Sequence, residues 1–167
     1  MRMLPPREQG SREMILDPAC GSKMFWFDKD NANVVFGDIR KENHILCDGR
    51  KLVIRPDVQM DFTALPFGHG VFEMVVLDPP HLKNAGKNGW QAKKYGVLPK
   101  DWPIVLELAF SECFRVLRDG GQLIFKWNEE QVRVSEVLAL TSHKPLFGHK
   151  RSGVSKTHWL CFVKGLS

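Results

Sequence analysis

The residues of this chain best suited to chemistry are four aspartates, Asp17, Asp38, Asp61 and Asp78, each at or beside the end of a short apolar segment. The segment before Asp78, residues 72–77, is apolar at every position but one and shows no alternation, which predicts a strand buried on both faces. Two prolines follow, and proline donates no ladder hydrogen bond, so this strand must end at Asp78. Ligands bind at the carboxyl edge of open α/β sheets, and we therefore expect Asp78 at a site.

The turn Asp78-Pro79-Pro80-His81 offers hydrogen-bond acceptors almost exclusively. Two consecutive prolines fix φ and remove two N–H donors, which leaves the carboxylate of Asp78 and a run of backbone carbonyls. Such a rim suits a substrate that brings donors, for example an exocyclic amino group. The simpler alternatives are a turn that only terminates a strand, with His81 as a solvated loop histidine.

The elements that must position these acids follow from the remaining apolar segments. Segments 14–17, 33–38, 57–61 and 122–127 are predicted strands, 44–47 and 51–54 flank an Asp48-Gly49 hairpin turn, and 144–148 and 159–163 form a closing antiparallel pair. Helices are expected to begin at residues 23–27, to run over 102–117 with a C-cap signal at Gly120-Gly121, and to span 135–140. The prediction is an α/β fold: a Rossmann-like, doubly wound, mostly parallel sheet with an antiparallel C-terminal strand, in three layers.

Length and composition limit the classes that apply. The 167 residues predict one domain, 1–167, with an irregular arm at 1–13 and a basic, lid-like loop at 82–101. The net charge of +5 and pI near 9.1 tilt modestly towards an anionic partner. The four cysteines form no CxxC pair, so we expect reduced thiols in a cytoplasmic protein and no metal. No signal peptide or membrane-length apolar run is visible, and no membrane partner is expected.

From residue 14 onward the chain resembles a class I S-adenosylmethionine-dependent methyltransferase. Its first strand and turn, Asp17-Pro18-Ala19-Cys20-Gly21, look like the family's first motif, which passes under the methionine part of the cofactor. Asp38 lies where the family has its ribose-binding acid, and Asp61-Phe62 where an acid and an apolar neighbour receive the adenine. The resemblance implies S-adenosyl-L-methionine as cofactor, bound by Asp17, Pro18, Ala19, Cys20, Gly21, Lys23, Asp38, Asp61, Phe62 and Asp78.

The turn at residues 78–81 is similar to the catalytic motif of amino-methyltransferases, commonly Asp/Asn-Pro-Pro-aromatic, and most to the N6-adenine type. The resemblance implies that Asp78 and Pro79 accept the N–H bonds of the target amine, that Pro80 completes the turn, and that His81 stacks on the flipped base. The implied activity is methyl transfer to an exocyclic amine of a nucleobase, adenine favoured, in DNA or RNA. Two departures stand out: Gly21-Ser22-Lys23 replaces Gly-x-Gly, and a histidine replaces the usual aromatic residue.

Residues around the predicted edge would contact such a substrate. Lys83, Trp90 and Tyr95 of the basic loop would combine phosphate attraction with base stacking, as in a lid over nucleic acid. The alternative is a solvated loop whose aromatic residues pack locally. Lys126 and Trp127 end a strand on the same rim, with core packing as the alternative for Trp127. Nucleic acid is the expected partner. Because no recognition domain is apparent, action on duplex DNA would call for a homodimer or a recognition subunit.

Three other functions stay open at this stage. One is methylation of a protein or small-molecule amine. Another is a catalytically silent methyltransferase-like subunit that binds nucleic acid, which Lys23 and the missing recognition domain suggest. A nicotinamide-dependent dehydrogenase is disfavoured, because the first turn lacks the GxGxxG fingerprint.

Overall fold

The computed structural model describes residues 14–84, 89–149 and 156–166. Its strands, in chain order, are β1 (Ile15–Asp17), β2 (Val34–Asp38), β3 (Glu42–Ile45), β4 (Lys51–Ile54), β5 (Val58–Gln59), β6 (Phe72–Leu77), β7 (Leu117–Asn128), β8 (Phe147–Gly148) and β9 (Thr157–Val163). Its helices are α1 (Trp90–Tyr95), α2 (Trp102–Val116) and α3 (Val134–Leu138). The arm expected at 1–13 lies outside the described residues.

Seven strands form one sheet in the order β5-β2-β1-β6-β7-β9-β8. The first five in this order run parallel to one another, while β9 is antiparallel to both β7 and β8. The predicted Rossmann-like sheet with an antiparallel C-terminal strand is therefore confirmed. The predicted hairpin is also present, since β3 and β4 pair antiparallel across Asp48-Gly49 as a separate two-stranded sheet.

The sheet is held by the apolar face of α2. Phe110 of this helix packs on Phe125 of β7 and Phe162 of β9, with ring centroids 5.0 and 6.1 Å apart. Val75 and Leu77 of β6 are fully buried in the same cluster. Because β6 lies between β1 and β7, burial on both faces fixes it as the central strand and brings Asp78 out at the carboxyl edge.

The expected helix at residues 23–27 is wrong. The segment between β1 and β2 consists of turns, and Lys23 has a φ of +55°, which no right-handed helix allows. The indole of Trp26 donates to the Asp17 carboxylate at 2.7 Å and lies edge-on to Phe36, with centroids 5.2 Å apart. These tertiary contacts, rather than a helical ladder, order the segment.

Two further boundaries differ from expectation. The Gly120-Gly121 pair does not cap α2, which ends at Val116 and passes directly into β7. The glycines instead lie within β7, where the pairing with β6 shifts register between Phe72 and Met74. The segment predicted as a basic, lid-like loop, 82–101, contains the short helix α1. No helix in the described part of the chain has the length and apolarity to span a membrane.

Candidate functional site

A cleft of about 210 Å³ opens at the carboxyl edge of the sheet, between the turn after β1 and the turn after β6. Its lining includes six of the residues expected to hold the cofactor: Pro18, Ala19, Cys20, Gly21, Asp38 and Phe62. It also includes residues expected to contact the substrate or act on it: Asp78, Pro79, Pro80, His81, Tyr95 and Lys126. The fold thus brings the two halves of the predicted site together.

Asp17 lies beneath the cleft rather than in its lining. It is fully buried, and its carboxylate accepts hydrogen bonds from the indole of Trp26 at 2.7 Å and the backbone N–H of Ala19 at 3.3 Å. Burial raises the pKa of Asp17 to about 7, against the opposing effect of both donors. The carboxyl group therefore holds the turn after β1 in place.

The turn itself is shaped by Gly21, whose φ of +51° lies in the left-handed region that glycine adopts without strain. The N–H of Gly21 donates to Asp38 Oδ2 at 2.8 Å, and the N–H of Cys20 donates to the carbonyl of Gly37 at 2.8 Å. Burial raises the pKa of the Cys20 thiol well above its usual range, so this thiol stays protonated in the cleft wall.

Asp38, at the end of β2, is almost fully buried and is paired with Arg40. Arg40 donates from Nε to Oδ1 at 3.1 Å, from Nη2 to Oδ2 at 3.3 Å and from its backbone N–H to Oδ1 at 2.9 Å. Its remaining nitrogen, Nη1, donates to the carbonyl of Lys93 in α1 at 3.0 Å. One guanidinium thus joins the acid of β2 to helix α1.

Sequence reasoning missed Arg40, although a signal was present. Residues i and i+2 of an extended chain point to the same side, so an arginine two residues after the acid that ends β2 is placed to reach it.

Asp78, at the end of β6, forms an ion pair with Lys126 of β7, with Nζ 2.5 Å from Oδ2. The ammonium group also lies 5.6 Å from the ring centroid of Phe25 and 5.7 Å from that of Trp159. These two rings meet edge-to-face, with centroids 5.7 Å apart. Neither aromatic residue was predicted, because Phe25 sits in an irregular segment and Trp159 depends on the register of β9 opposite Lys126.

His81 continues the same wall. Its ring lies 5.7 Å from that of Tyr95 and 6.3 Å from that of the buried Trp127. Burial lowers the pKa of the His81 imidazole, although Asp78 and a hydrogen bond to the backbone of Pro79 act in the opposite direction. The ring is therefore neutral at pH 7.

Helix α1 closes the cleft from the side of the basic loop. Gly96 ends this helix with a φ of +76°, and a Cβ there would come within 2.9 Å of Pro80 Cγ. Lys94 of the basic loop lines the cleft together with Tyr95. The segment is anchored further by the N–H of Leu98, which donates to the carbonyl of Leu82 at 2.9 Å.

Several predicted contact residues point elsewhere. Lys23 donates to the carbonyl of Lys29 at 2.8 Å, and its ammonium lies over the ring of Phe36 at 3.7 Å. Asp61 accepts from the backbone and hydroxyl of Thr63, at 2.8 and 2.7 Å, so it closes its own turn. Neither residue lines the cleft.

Three of the residues expected to contact the substrate, Lys83, Trp90 and Trp127, also do not line the cleft. The ammonium of Lys83 lies 5.7 Å from the ring centroid of Trp102, and Trp90 is partly exposed beside Lys94. The indole of Trp127 is fully buried and donates to the carbonyl of Val132 at 2.9 Å, so it belongs to the core beneath His81.

Solved structures share this fold at low sequence identity. The PH0226 protein from Pyrococcus horikoshii OT3 aligns with 92% of this chain and 82% of its own length, with a TM-score of 0.58 and 14% identity. A SAM-dependent methyltransferase from Methanosarcina mazei aligns with 94% of this chain and 95% of its own length, with a TM-score of 0.54 and 12% identity. No protein-family model and no curated protein matches the chain. The chain therefore has the Rossmann-like fold that this methyltransferase also has.

Proposed function

We propose that this protein is an S-adenosylmethionine-dependent methyltransferase that acts on an exocyclic amine of a nucleobase in DNA or RNA, with adenine as the favoured base. The observation that carries the proposal is the position of the turn at residues 78–81. It lies at the end of the central strand and shares one cleft with the turn after β1 and with Asp38. The fold shared with a SAM-dependent methyltransferase supports the methyltransferase part of this proposal.

The donors and acceptors of the cleft suit a nucleoside cofactor, provided that Asp38 is released from Arg40. Asp38 already accepts four hydrogen bonds, three from Arg40 and one from Gly21, which fills the lone-pair directions of a carboxylate. A ribose diol can bind this acid only if the guanidinium of Arg40 gives up its acceptors. With that exchange, Pro18 to Gly21, Asp38 and Phe62 would hold the cofactor. When bound, S-adenosylmethionine supplies an electrophilic methyl group.

The chain's own residues then position the amine. Asp78 Oδ1 and the carbonyl of Pro79 are acceptors for its two N–H bonds, and holding both draws the nitrogen lone pair out of conjugation with the base. Alignment and preorganised acceptors of this kind supply a large share of the rate in many enzymes. The neutral ring of His81, supported by Tyr95, offers a face on which the base can stack.

One observation favours a second candidate, a methyltransferase-like subunit without activity. Both acids of the site, Asp38 and Asp78, are already neutralised by cations of the chain itself, Arg40 and Lys126. A site in which these pairs never open would bind a partner or nucleic acid without turnover. Methylation of protein amines or small molecules is the remaining alternative.

Transfer of labelled methyl from S-adenosylmethionine to separate pools of DNA, RNA and cell protein tests the proposal. We expect label in one nucleic-acid pool, lost in Asp78→Ala and retained in Asp119→Ala, whose side chain is 98% exposed, reaches Lys164 only at 3.9 Å and does not line the cleft. Label confined to protein would move the assignment to protein amines. Absence of label in every pool, with S-adenosylhomocysteine still bound, would favour the silent subunit.

A further inference from the structure

The ion pair at the centre of the cleft fixes the charge that a substrate meets. Lys126 Nζ lies 2.5 Å from Asp78 Oδ2, and the exposed fractions of the two side chains are only 23% and 17%. The ammonium is flanked by Phe25 and Trp159, so electrostatic attraction to both ring faces adds to the ion pair. Lys126 is therefore held in place at the acceptor.

This arrangement changes what Asp78 can attract. An unpaired carboxylate beside two aromatic rings would favour a protonated alkylamine, since it supplies a counter-charge and cation–π contacts. Here the ammonium of Lys126 already pairs with the carboxylate and already makes the cation–π contacts with both rings. Within the described part of the chain no donor is bonded to the second oxygen, Asp78 Oδ1, which remains available to a neutral N–H group.

We infer that Lys126 makes the site selective for uncharged amines. The amine of an alkylammonium group, with a pKa near 10.4, arrives protonated at neutral pH and would meet the charge of Lys126 at close range. An exocyclic amine of a nucleobase arrives neutral and meets an acceptor of no net charge. Lys126 is thus a specificity-determining and positioning residue, and this inference rests on the proposed function.

The first test does not require turnover. Binding of butylammonium chloride to the cofactor-free protein is followed by NMR for the wild type, Lys126→Met and Lys126→Arg. We expect Lys126→Met, which keeps a flexible apolar side chain, to bind the cation at least about tenfold more tightly than the wild type. Lys126→Arg, which keeps the charge, should behave like the wild type. Equal binding by the wild type and Lys126→Met overturns the inference.

The second test compares two methyl acceptors, an adenine-rich single-stranded oligonucleotide and a polylysine peptide. The ratio of their kcat/KM values should shift towards the peptide by about 100-fold in Lys126→Met. In Lys126→Arg the ratio should equal that of the wild type. Lys156→Met, which removes an exposed lysine paired with Glu130, is the matched control and should leave the ratio unchanged.

Two outcomes separate this inference from the proposed function. If the wild type and Lys126→Met methylate the peptide with equal kcat/KM, the inference about Lys126 is overturned. The proposed function is unaffected by that result. A wild type that methylates nothing overturns the proposed function, while the butylammonium measurement still reports on Lys126. Lys126→Gln replaces Lys126→Met if the latter fails to give a cooperative thermal unfolding transition.

Discussion

Lys23 occupies a backbone conformation that the resembled motif reserves for glycine. Its φ of +55° costs a side-chain-bearing residue roughly 1–2 kcal/mol, and the ammonium recovers part of this over Phe36 and at the carbonyl of Lys29. The departure from Gly-x-Gly thus changes the side chain and keeps the backbone shape. The ammonium of Lys23 lies against the Phe36 ring and the Lys29 carbonyl, and Lys23 does not line the cleft.

A pair of substitutions tests this reading of Lys23. Lys23→Gly loses the contacts but relieves the backbone, whereas Lys23→Ala loses the contacts and keeps the strain. The free energy of unfolding in urea should be lower for Lys23→Ala than for Lys23→Gly by about 1 kcal/mol. An alanine variant as stable as the glycine variant would show that this conformation is not strained.

Asp17 should make stability fall as the pH rises. Its pKa is raised to about 7 in the folded chain, against about 3.9 unfolded, so between these values the folded state holds the proton. The unfolding free energy is then highest below about pH 4 and declines towards pH 7, by at most about 1.4 kcal/mol per pH unit. The contribution of His81 has the opposite sign, because burial lowers its pKa.

The measurement compares the wild type with Asp17→Asn by urea unfolding across this pH range. The difference between the two should shift in favour of the variant as the pH rises, because asparagine does not ionise. Parallel pH profiles for the two proteins would mean that folding does not raise the pKa of Asp17.

At the scale of elements, Arg40 connects β2 to α1, and its removal should affect both ends. Arg40→Ala frees the acceptors of Asp38, so S-adenosylhomocysteine should bind about tenfold more tightly by calorimetry. The amides of residues 90–95 should exchange hydrogen faster, because the bond to the Lys93 carbonyl is lost. Unfolding should become easier, since a buried carboxylate loses its partner.

Arg50→Ala provides the control, because Arg50 pairs with Asp48 on the exposed hairpin turn. It should change neither ligand affinity nor exchange at residues 90–95. Weaker binding of S-adenosylhomocysteine by Arg40→Ala would show that the guanidinium itself contacts the ligand.

The strands were predictable because their signal is local. A continuous apolar run that stops at an acid or a proline fixes both the burial of β6 and its end. The helix predicted at 23–27 was wrong because the decisive contacts are not local. Trp26 is stabilised more by its hydrogen bond to Asp17 and its contact with Phe36 than it would be by a helical turn. Helix α1 has six residues and no side-chain cap, so nothing in its sequence marks its start.

The site was predictable only in part. Acids at strand ends and the turn at 78–81 are sequence features, and the sheet order brings them to one edge. The residues that modify these acids come from other places in the chain. Lys126 was identified by its position on the rim, but its bond to Asp78 and the rings of Phe25 and Trp159 depend on tertiary packing.

At the scale of the whole molecule, the four thiols differ sharply in access. Cys20, Cys113 and Cys161 are buried, and burial raises the pKa of each, whereas Cys47 is exposed on the hairpin loop. Brief treatment of the native protein with iodoacetamide should therefore add one label by intact mass, at Cys47.

Two controls complete the experiment. Cys47→Ser should take up no label until urea is added, after which the other three thiols react. A second adduct on the native wild type would show that a buried thiol becomes accessible, and its location at Cys20 would mean that the cleft wall opens to solvent.

The parallel pairing of β6 with β1 and β7 also bears on how the chain folds. Both partners are distant in sequence, so the central strand is completed only after long loops have closed, and such topologies fold slowly. The cleft takes residues from the first turn, the central strand and β7, and no short fragment contains it. A ligand of the cleft therefore has nothing to bind in an unfolded or half-formed chain. It should slow the unfolding rate and leave the refolding rate unchanged.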